Sequence, residues 1–318
     1  MTPPLTDHFN GKRFFYPGES GGRGWRDLLR WKFTSRPAPW PAQVECVPTI
    51  PEASPGSGVI ATWIGQATFL LQTPQGNFLT DPIFSGRASP LAWFGPRRVV
   101  APGVDFERLP KIDAVLLSHD HFDHCDLPTL RRLTEKWAPV VIAPLGHAKF
   151  LQRAGAAARV EELDWWQTHA LASGAKVLLV PARHWCRRRP YGDNLRLWGG
   201  FMLRAGDRLI YFAGDSGYDS ALFPEIGRRG GHPDLALIPI GAYEPRWFMR
   251  DAHMNPEEAV RVHRDVGARL SVAMHWGTFQ LTDEGREDPP RALEEARTVA
   301  EVPADAFRVV PPGGRLTA

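Results

Sequence analysis

The chain has 318 residues, 43% hydrophobic and 23% charged, which is typical of a folded globular protein with a sizeable core. Its net charge of +3 is too small to indicate nucleic-acid binding. Three widely spaced cysteines predict no disulfide framework, and no apolar stretch suggests a signal peptide or a transmembrane helix. We therefore expect a cytoplasmic protein, with or without peripheral association with the inner face of the membrane.

Residues 1–55 are rich in Pro, Gly and Arg and lack sustained periodicity, so they predict an N-terminal arm. One stretch of the arm places apolar residues on one helical face with arginines beside it: Trp25, Leu28, Leu29 and Phe33, with Arg26 and Arg30. We expect the arm to face a membrane or a partner, and residues 56–318 to form the main domain.

From residue 60 onward, short β-rich runs alternate with helical stretches. The predicted strands are 61–72, 78–80, 114–117, 140–143, 176–180, 209–213, 235–240 and 270–274. The predicted helices are 128–137, 148–154, 256–266 and 289–300. Asn255, Pro256 and Glu258 supply a cap, an N1 proline and an N3 glutamate for the third helix. This alternation predicts a layered α/β protein.

The motif after the strand predicted at 114–117 is rich in metal-ligating side chains. It has the form H-x-H-x-D-H, with His119, His121, Asp123 and His124 at the ligand positions. A strand end and the turn after it can direct neighbouring side chains at one point. Imidazole and carboxylate groups suit zinc and similar divalent ions, so the motif predicts a metal site.

Three further candidate ligands each follow a predicted strand: His184, Asp215 and His275. Singly, each has an ordinary explanation, as a surface histidine in a basic loop, an aspartate in a turn and a core histidine. Glycines flank Asp215 and His275, and glycine lets the backbone turn tightly beside a ligand. Together with the motif, these residues give seven ligands, which is enough for two metal ions.

The order of the ligands resembles that of the metallo-β-lactamase superfamily. Longer stretches resemble, more specifically, the N-acylphosphatidylethanolamine-hydrolysing phospholipase D family, from about residue 60 to the C-terminus. They include Thr62-Trp63-Ile64-Gly65, Leu79-Thr80-Asp81-Pro82-Ile83-Phe84-Ser85, Glu162-Leu163-Asp164-Trp165-Trp166, His184-Trp185-Cys186, Met274-His275-Trp276-Gly277 and Pro239-Ile240-Gly241-Ala242-Tyr243-Glu244-Pro245-Arg246-Trp247-Phe248-Met249.

The resemblance implies an α/β (α+β) fold, a metallo-β-lactamase-type four-layer αβ/βα sandwich with two mixed β-sheets and metals at their shared edge. It implies two divalent metal ions, with Zn²⁺ as the expected identity. By position, one metal is assigned to His119, His121 and His184, the other to Asp123, His124 and His275, and Asp215 bridges them.

The resemblance also implies hydrolysis of N-acylphosphatidylethanolamine to N-acylethanolamine and phosphatidic acid. Two ions ~3.5–4 Å apart can stabilise the attacking and leaving oxygens of a phosphoryl displacement and generate a bridging hydroxide. That hydroxide would attack phosphorus in line, so no side-chain nucleophile is needed. Asp123, Asp215 and His253 are the residues assigned to catalysis.

Four residues near the ligands have their own expected roles. His253 matches a family position near the substrate phosphate, which implies substrate binding or proton transfer. Phe122 stands at a substrate-binding position where the family often has tyrosine, so a hydroxyl donor is absent there. Asp81 is expected to orient a metal-bound histidine, since ligating imidazoles commonly donate to carboxylates. Gln66 is either a similar partner of a ligand or an ordinary polar strand residue.

The remaining substrate-binding candidates concern lipid. The run Arg187–Arg189 is either a solvated surface or a site for lipid phosphates, and Arg187 is the candidate contact. Trp247 and Phe248, together with residues 91–94, either line an acyl groove and insert into lipid or pack in the core.

Two other functions remain open at this point. One is a soluble metallohydrolase of a small phosphosugar lactone or cyclic phosphodiester, and the other is a membrane-binding scaffold with a vestigial site. The intact set of seven ligands argues against the scaffold. We expect a phospholipid substrate, peripheral association with a membrane surface and no nucleic-acid partner; the sequence leaves a homodimer open.

Overall fold

The computed structural model describes residues 6–18, 25–53, 55–188 and 193–318. The strands are β1 (Ile60–Gly65), β2 (Thr68–Thr73), β3 (Gly76–Thr80), β4 (Ala114–Leu116), β5 (Val140–Pro144), β6 (Arg159–Leu163), β7 (Thr168–Ala170), β8 (Lys176–Val180), β9 (Gly200–Ala205), β10 (Arg208–Phe212), β11 (Leu235–Pro239), β12 (Leu270–Met274), β13 (Phe307–Arg308) and β14 (Arg315–Thr317). The helices are α1 (Trp25–Thr34), α2 (Leu127–Trp137), α3 (Ala148–Arg153), α4 (Leu222–Gly230), α5 (Arg246–Met249), α6 (Pro256–Asp265) and α7 (Asp288–Val299), with a 3₁₀ turn at Phe106–Arg108.

The strands form two seven-stranded sheets, ordered β14-β1-β2-β3-β4-β5-β6 and β13-β12-β11-β10-β9-β8-β7. Each sheet is mixed. In the first sheet, neighbouring strands are antiparallel from β14 through β1 and β2 to β3, and parallel from β3 through β4 and β5 to β6. In the second, β7 to β10 pair antiparallel and β10 to β13 pair parallel.

Alternating side chains place the first sheet between two apolar layers. Ala114 and Leu116 of β4 belong to the main core, which also contains Phe201 and Phe212 of the second sheet. The intervening Val115 belongs to a separate cluster with residues of α2 and α3. Since α6 packs on β11 and contacts α4 and α7, these helices cover the second sheet. The result is the four-layer αβ/βα sandwich that the resemblance implied.

One predicted strand was wrong, because the chain at 61–72 forms a hairpin rather than one continuous strand. β1 and β2 pair antiparallel, with Trp63 opposite Phe69, and the turn between them places Gln66 at a φ of 53°. Every residue of both strands is buried. No cluster of polar turn residues separates the two strands, so the sequence pattern indicated one apolar run.

The four predicted helices are present, each end within one residue of the prediction. The capping box at α6 is also present, since Asn255 accepts from the Glu258 backbone at 2.9 Å and Glu258 accepts from the Asn255 backbone at 3.0 Å. Sequence patterns missed helix α4. This helix contains Gly227, and glycine is required there because a Cβ atom would lie 2.9 Å from the Val266 carbonyl oxygen. Sequence patterns also missed β6, because three of its five residues are charged and give no apolar run.

The described parts of the N-terminal arm pack on the domain. Phe9 and Phe14 are buried in the main core, and His8 Nε2 lies 2.7 Å from an Asp164 carboxylate oxygen. Helix α1 is present where the apolar face was predicted. The division of the chain after residue 55 stays a prediction. Among the helices of the described residues, none is both long and apolar enough to span a bilayer.

Candidate metal centre

The candidate ligands lie where the ends of strands from both sheets meet. The H-x-H-x-D-H motif follows β4 of the first sheet, whereas His184, Asp215 and His275 follow β8, β10 and β12 of the second. Because these ends face the same edge of the sandwich, residues far apart in sequence come together in two groups. The groups are His119, His121 and His184, and Asp123, His124, Asp215 and His275.

The first group consists of three imidazoles. His121 Nδ1 lies 2.9 Å from His119 Nε2 and 3.3 Å from His184 Nε2. The rings of His119 and His121 meet edge to face, with centroids 4.6 Å apart. Three ring nitrogens therefore point at one small volume.

The second group combines two imidazoles with two carboxylates. His124 Nε2 and His275 Nε2 lie 3.0 Å apart. The Asp123 Oδ2 atom lies 3.2 Å from the His124 nitrogen and 3.1 Å from the His275 nitrogen. The Asp215 Oδ2 atom lies 3.1 Å and 3.2 Å from the same two nitrogens.

Asp215 stands between the two groups. Its Oδ2 atom, in contact with His124 and His275, also lies 4.0 Å from His119 Nε2 and 3.9 Å from His184 Nε2. The residue before it, Gly214, has a φ of 61°, and a Cβ there would lie 2.9 Å from Ser118 Cβ. The glycine thus allows the close approach of the β10 end to the metal-binding motif.

Hydrogen bonds to the Nδ1 atoms of His124 and His119 set the direction of their Nε2 atoms, which face the cluster. His124 Nδ1 lies 2.6 Å from Asp81 Oδ2, and Asp81 also accepts from the Ser118 backbone at 2.7 Å. The Ser118 hydroxyl lies 2.8 Å from His119 Nδ1 and donates to Asp81. An Nδ1 proton held by an acceptor leaves the Nε2 lone pair free to bind a metal. Asp81 thus contacts the ring of a candidate ligand, and its role in orienting that ring stays a prediction.

Two further contacts support the ligands. His184 Nδ1 lies 2.9 Å from the Ala252 carbonyl oxygen, which fixes that ring in the same way. Gln66 donates from its side-chain amide to Asp123 Oδ2 at 2.9 Å. Of the two interpretations of Gln66, the structure thus favours the partner of a ligand. Gln66, Asp81 and His275 all have positive φ values, a strained conformation that is concentrated at functional sites.

Burial and mutual charge determine the protonation of the cluster. Burial lowers the pKa of His119 and of His184 well below the ordinary value, so both rings are neutral. Burial alone would also lower the pKa of His275, but Asp215 and Asp123 raise it to about 9. Burial would raise the pKa of Asp215, but His124 and His275 lower it well below its usual range. A cation in the second group therefore competes with protons on its histidines.

These residues fit divalent metal ions. Tetrahedral zinc sites have nitrogen and oxygen ligands at about 2.0–2.2 Å, which places neighbouring ligand atoms about 3.3–3.6 Å apart. The five distances among the nitrogen and oxygen atoms of the second group are 3.0–3.2 Å. Among the described residues, the buried Asp215 Oδ1 atom has no hydrogen-bond partner. Lone pairs this close together repel each other unless a cation or proton lies between them.

His253 lies beside the cluster. Its Nδ1 is 3.8 Å from Asp215 Oδ2, and its ring centroid is 5.1 Å from that of His184. The Nδ1 atom has no hydrogen-bond partner among the described residues. Burial lowers the pKa of His253 to about 4. His253 therefore lies beside the candidate ligands, and its contact with a substrate phosphate stays a prediction.

The aromatic and basic candidates around the motif are held by protein contacts. The Phe122 ring lies under the Arg188 guanidinium at 4.2 Å. Arg187 lies over the Trp185 ring at 4.9 Å, with its Nε 3.5 Å from Asp193. Arg189 lies outside the described residues. Sequence reasoning missed Trp185 as a neighbour of the site, although its ring packs edge to face on His121 at 4.6 Å.

Trp247 and Phe248 belong to α5, which leads into His253. Both side chains are half-buried because α1 packs against them. Trp31 stacks on Phe248 at 5.0 Å, and the Arg30 guanidinium lies 4.6 Å over the Trp247 ring. Phe33, Trp93 and Phe94, in other parts of the chain, are more exposed than Trp247 and Phe248.

Comparison with known proteins at the level of sequence gives a family match and two similar relatives. A profile of the beta-lactamase superfamily domain matches residues 76–276. The N-acyl-phosphatidylethanolamine-hydrolyzing phospholipase D 1 of Caenorhabditis elegans is 40% identical over 258 residues, which cover 77% of this chain and 71% of that protein. An uncharacterized protein of Mycobacterium tuberculosis is 38% identical over 300 residues, covering 90% of this chain and 78% of its own length.

Comparison with solved structures also finds a similar protein. An isothiocyanate hydrolase from Delia radicum gut bacteria superposes with a TM-score of 0.65 at 21% identity, covering 81% of this chain and 100% of that one. At that level of identity, the likeness concerns the fold alone.

Proposed function

Because the chain belongs to the beta-lactamase superfamily, and within it to the family of N-acyl-phosphatidylethanolamine-hydrolyzing phospholipase D, it is a metal-dependent hydrolase, and we propose that it is a dinuclear phosphodiesterase of this type. The proposed reaction converts N-acylphosphatidylethanolamine and water into N-acylethanolamine and phosphatidic acid. The broken bond is the P–O bond on the ethanolamine side.

The observation that carries the proposal is the position of Asp215 between two ligand groups. The first group would be held by His119, His121 and His184, and the second by Asp123, His124 and His275. The Asp215 Oδ2 atom lies 3.1–4.0 Å from nitrogens of both groups, which supports a carboxylate shared by two ions. Imidazole and carboxylate ligands support Zn²⁺ as the metal.

Two divalent cations, when bound, would lower the pKa of a water molecule and offset negative charge on the phosphoryl group. The protein residues would supply geometry. Asp81, Ser118 and the Ala252 carbonyl hold the ligand rings in one orientation. His253 is placed to contact a phosphoryl oxygen, because its free Nδ1 lies 3.8 Å from Asp215.

A test of the function is turnover of N-acylphosphatidylethanolamine against a soluble phosphodiester, with metal analysis of the same sample. We expect about two ions per chain and higher kcat/KM on the phospholipid.

In ¹⁸O-water the label should appear in the phosphatidic acid, because water attacks phosphorus. Label in the N-acylethanolamine would mean C–O cleavage, and an active protein with one ion or none would exclude the dinuclear assignment.

One observation favours the alternative of a small soluble substrate. Helix α1 covers Trp247 and Phe248, so these side chains do not form an open acyl groove in this conformation. Higher kcat/KM on the soluble phosphodiester would support this alternative.

We also propose that the protein associates with membranes through a surface beside residues 279–283. The Phe33 side chain is 85% exposed, Trp93 75% and Phe94 65%. Helix α1 contacts this segment, because the Trp31 indole donates a hydrogen bond to the Asp283 carboxylate. The loop that carries Trp93 contacts the same segment through an isolated β-bridge between Arg98 and Phe279. The exposed Arg26, Arg30 and Arg97 would attract anionic headgroups.

Replacing Trp93 and Phe94 with serine should weaken binding to phosphatidylserine-containing vesicles. Wild-type binding should also fall as salt rises, since the basic residues act through a screened attraction. Flotation with vesicles measures both effects. Val299→Ser on α7 is the matched control, because that side chain is 86% exposed on another element. A wild-type protein that never floats with vesicles would contradict the proposal.

A further inference from the structure

Arg188 donates two hydrogen bonds to the backbone of the metal-binding motif. Its Nη1 lies 2.9 Å from the Asp120 carbonyl oxygen and 2.7 Å from the Cys125 carbonyl oxygen. These two carbonyl groups enclose the segment 121–124, which carries three of the candidate ligands. One guanidinium nitrogen thus joins the two ends of the ligand-bearing turn.

Aromatic rings hold the guanidinium in place. Its Cζ atom lies 4.2 Å from the Phe122 ring centroid and 5.5 Å from that of Phe150. Arg196 stacks on the same Phe150 ring at 4.4 Å and donates to Asp120 Oδ2 at 2.8 Å. The stacked planar groups restrict rotation of Arg188, so its donors stay directed at the carbonyl groups.

Arg188 also connects two ligand-bearing segments of the chain. It stands four residues after His184, the ligand candidate that follows β8, and its side chain reaches the motif that follows β4. A displacement of the turn relative to His184 would therefore break these hydrogen bonds. Arg188 is therefore not simply a solvated surface residue, because its side chain makes these backbone contacts.

We propose that Arg188 is a positioning residue that closes the turn 120–125 and so holds the ligands of both groups in register. It acts on the metals through His121, Asp123 and His124 and need not contact the substrate. This inference rests on the proposed assignment of those residues as ligands.

Arg188→Met tests the proposal, because methionine keeps an apolar stem against Phe122 and removes the donors. We expect metal affinity, measured by competition with a chelator, to fall about 10–100-fold, the range typical of lost partners of metal ligands. Cys125, which is buried at the end of the turn, should become reactive toward a thiol reagent, as peptide mass analysis would show. Arg188→Lys keeps the charge without the stacking plane, so a loss of metal affinity smaller than that of the methionine variant is expected.

Arg228→Ala is the control, because that arginine lies exposed on α4 and pairs with Glu225. It should leave metal retention and Cys125 labelling unchanged. Thermal unfolding of each variant separates a general loss of stability from opening of the turn. If the methionine variant does not fold, metal retention by Arg188→Lys equal to wild type would overturn the proposal.

The failure of this proposal is distinct from the failure of the proposed function. A wild-type protein that binds no metal would contradict the ligand assignment itself. A wild-type protein that binds metal, together with a folded Arg188→Met that retains it equally well and keeps Cys125 protected, would contradict only the role of Arg188.

Discussion

Asp215→Asn is expected to lower turnover about 10³-fold, which corresponds to about 4 kcal/mol of activation free energy, while the protein stays folded. The Asp215 Oδ2 atom lies 3.1 Å from His124 Nε2 and 4.0 Å from His119 Nε2, between the two ligand groups. An amide of the same size has no negative charge and offers one neutral oxygen, so it would bind two cations poorly.

The measurement is kcat/KM with the substrate of the wild-type protein, together with metal content and circular dichroism. Asp207→Asn is the matched control, because that carboxylate is 80% exposed beside Arg208 on the turn between β9 and β10. We expect the control to be fully active. Activity of Asp215→Asn within threefold of wild type would remove Asp215 from the site.

Asp81→Asn is expected to lower metal affinity about 10–100-fold, and turnover with it. The buried Asp81 carboxylate accepts from the Ser118 backbone at 2.7 Å and contacts His124 Nδ1 at 2.6 Å. An asparagine supplies one acceptor and places an amide donor against another donor. The His124 ring would then lose its fixed orientation, and a buried donor without a partner would cost about 1–3 kcal/mol of stability.

Chelator competition measures the affinity, and chemical denaturation measures the free energy of unfolding. Asp234→Asn is the control, since Asp234 accepts from the Leu209 backbone at 2.9 Å and pairs with Arg208, just before β11. This control should lose stability but not metal affinity. If both variants retain metal equally, Asp81 has only a structural role.

The sequence was sufficient for the features that depend on neighbouring residues. His119, His121, Asp123 and His124 stand in one turn after an apolar strand, so their types and spacing alone indicate a metal site. The start of α6 was equally clear, because the capping box needs only Asn255 and Glu258. The four-layer fold followed from the resemblance carried by the longer motifs.

The long-range features required the tertiary structure. The contact of Gln66 with Asp123, the hydrogen bonds of Arg188 to the turn 120–125 and the cover of α1 on Phe248 all join segments distant in sequence. Local patterns report whether a residue is apolar or charged but not the direction in which its side chain points. That direction is decided when the two sheets pack and their strand ends meet. The sequence by itself therefore determined which residues could bind metal, and the packing of the sheets decided which residues support them.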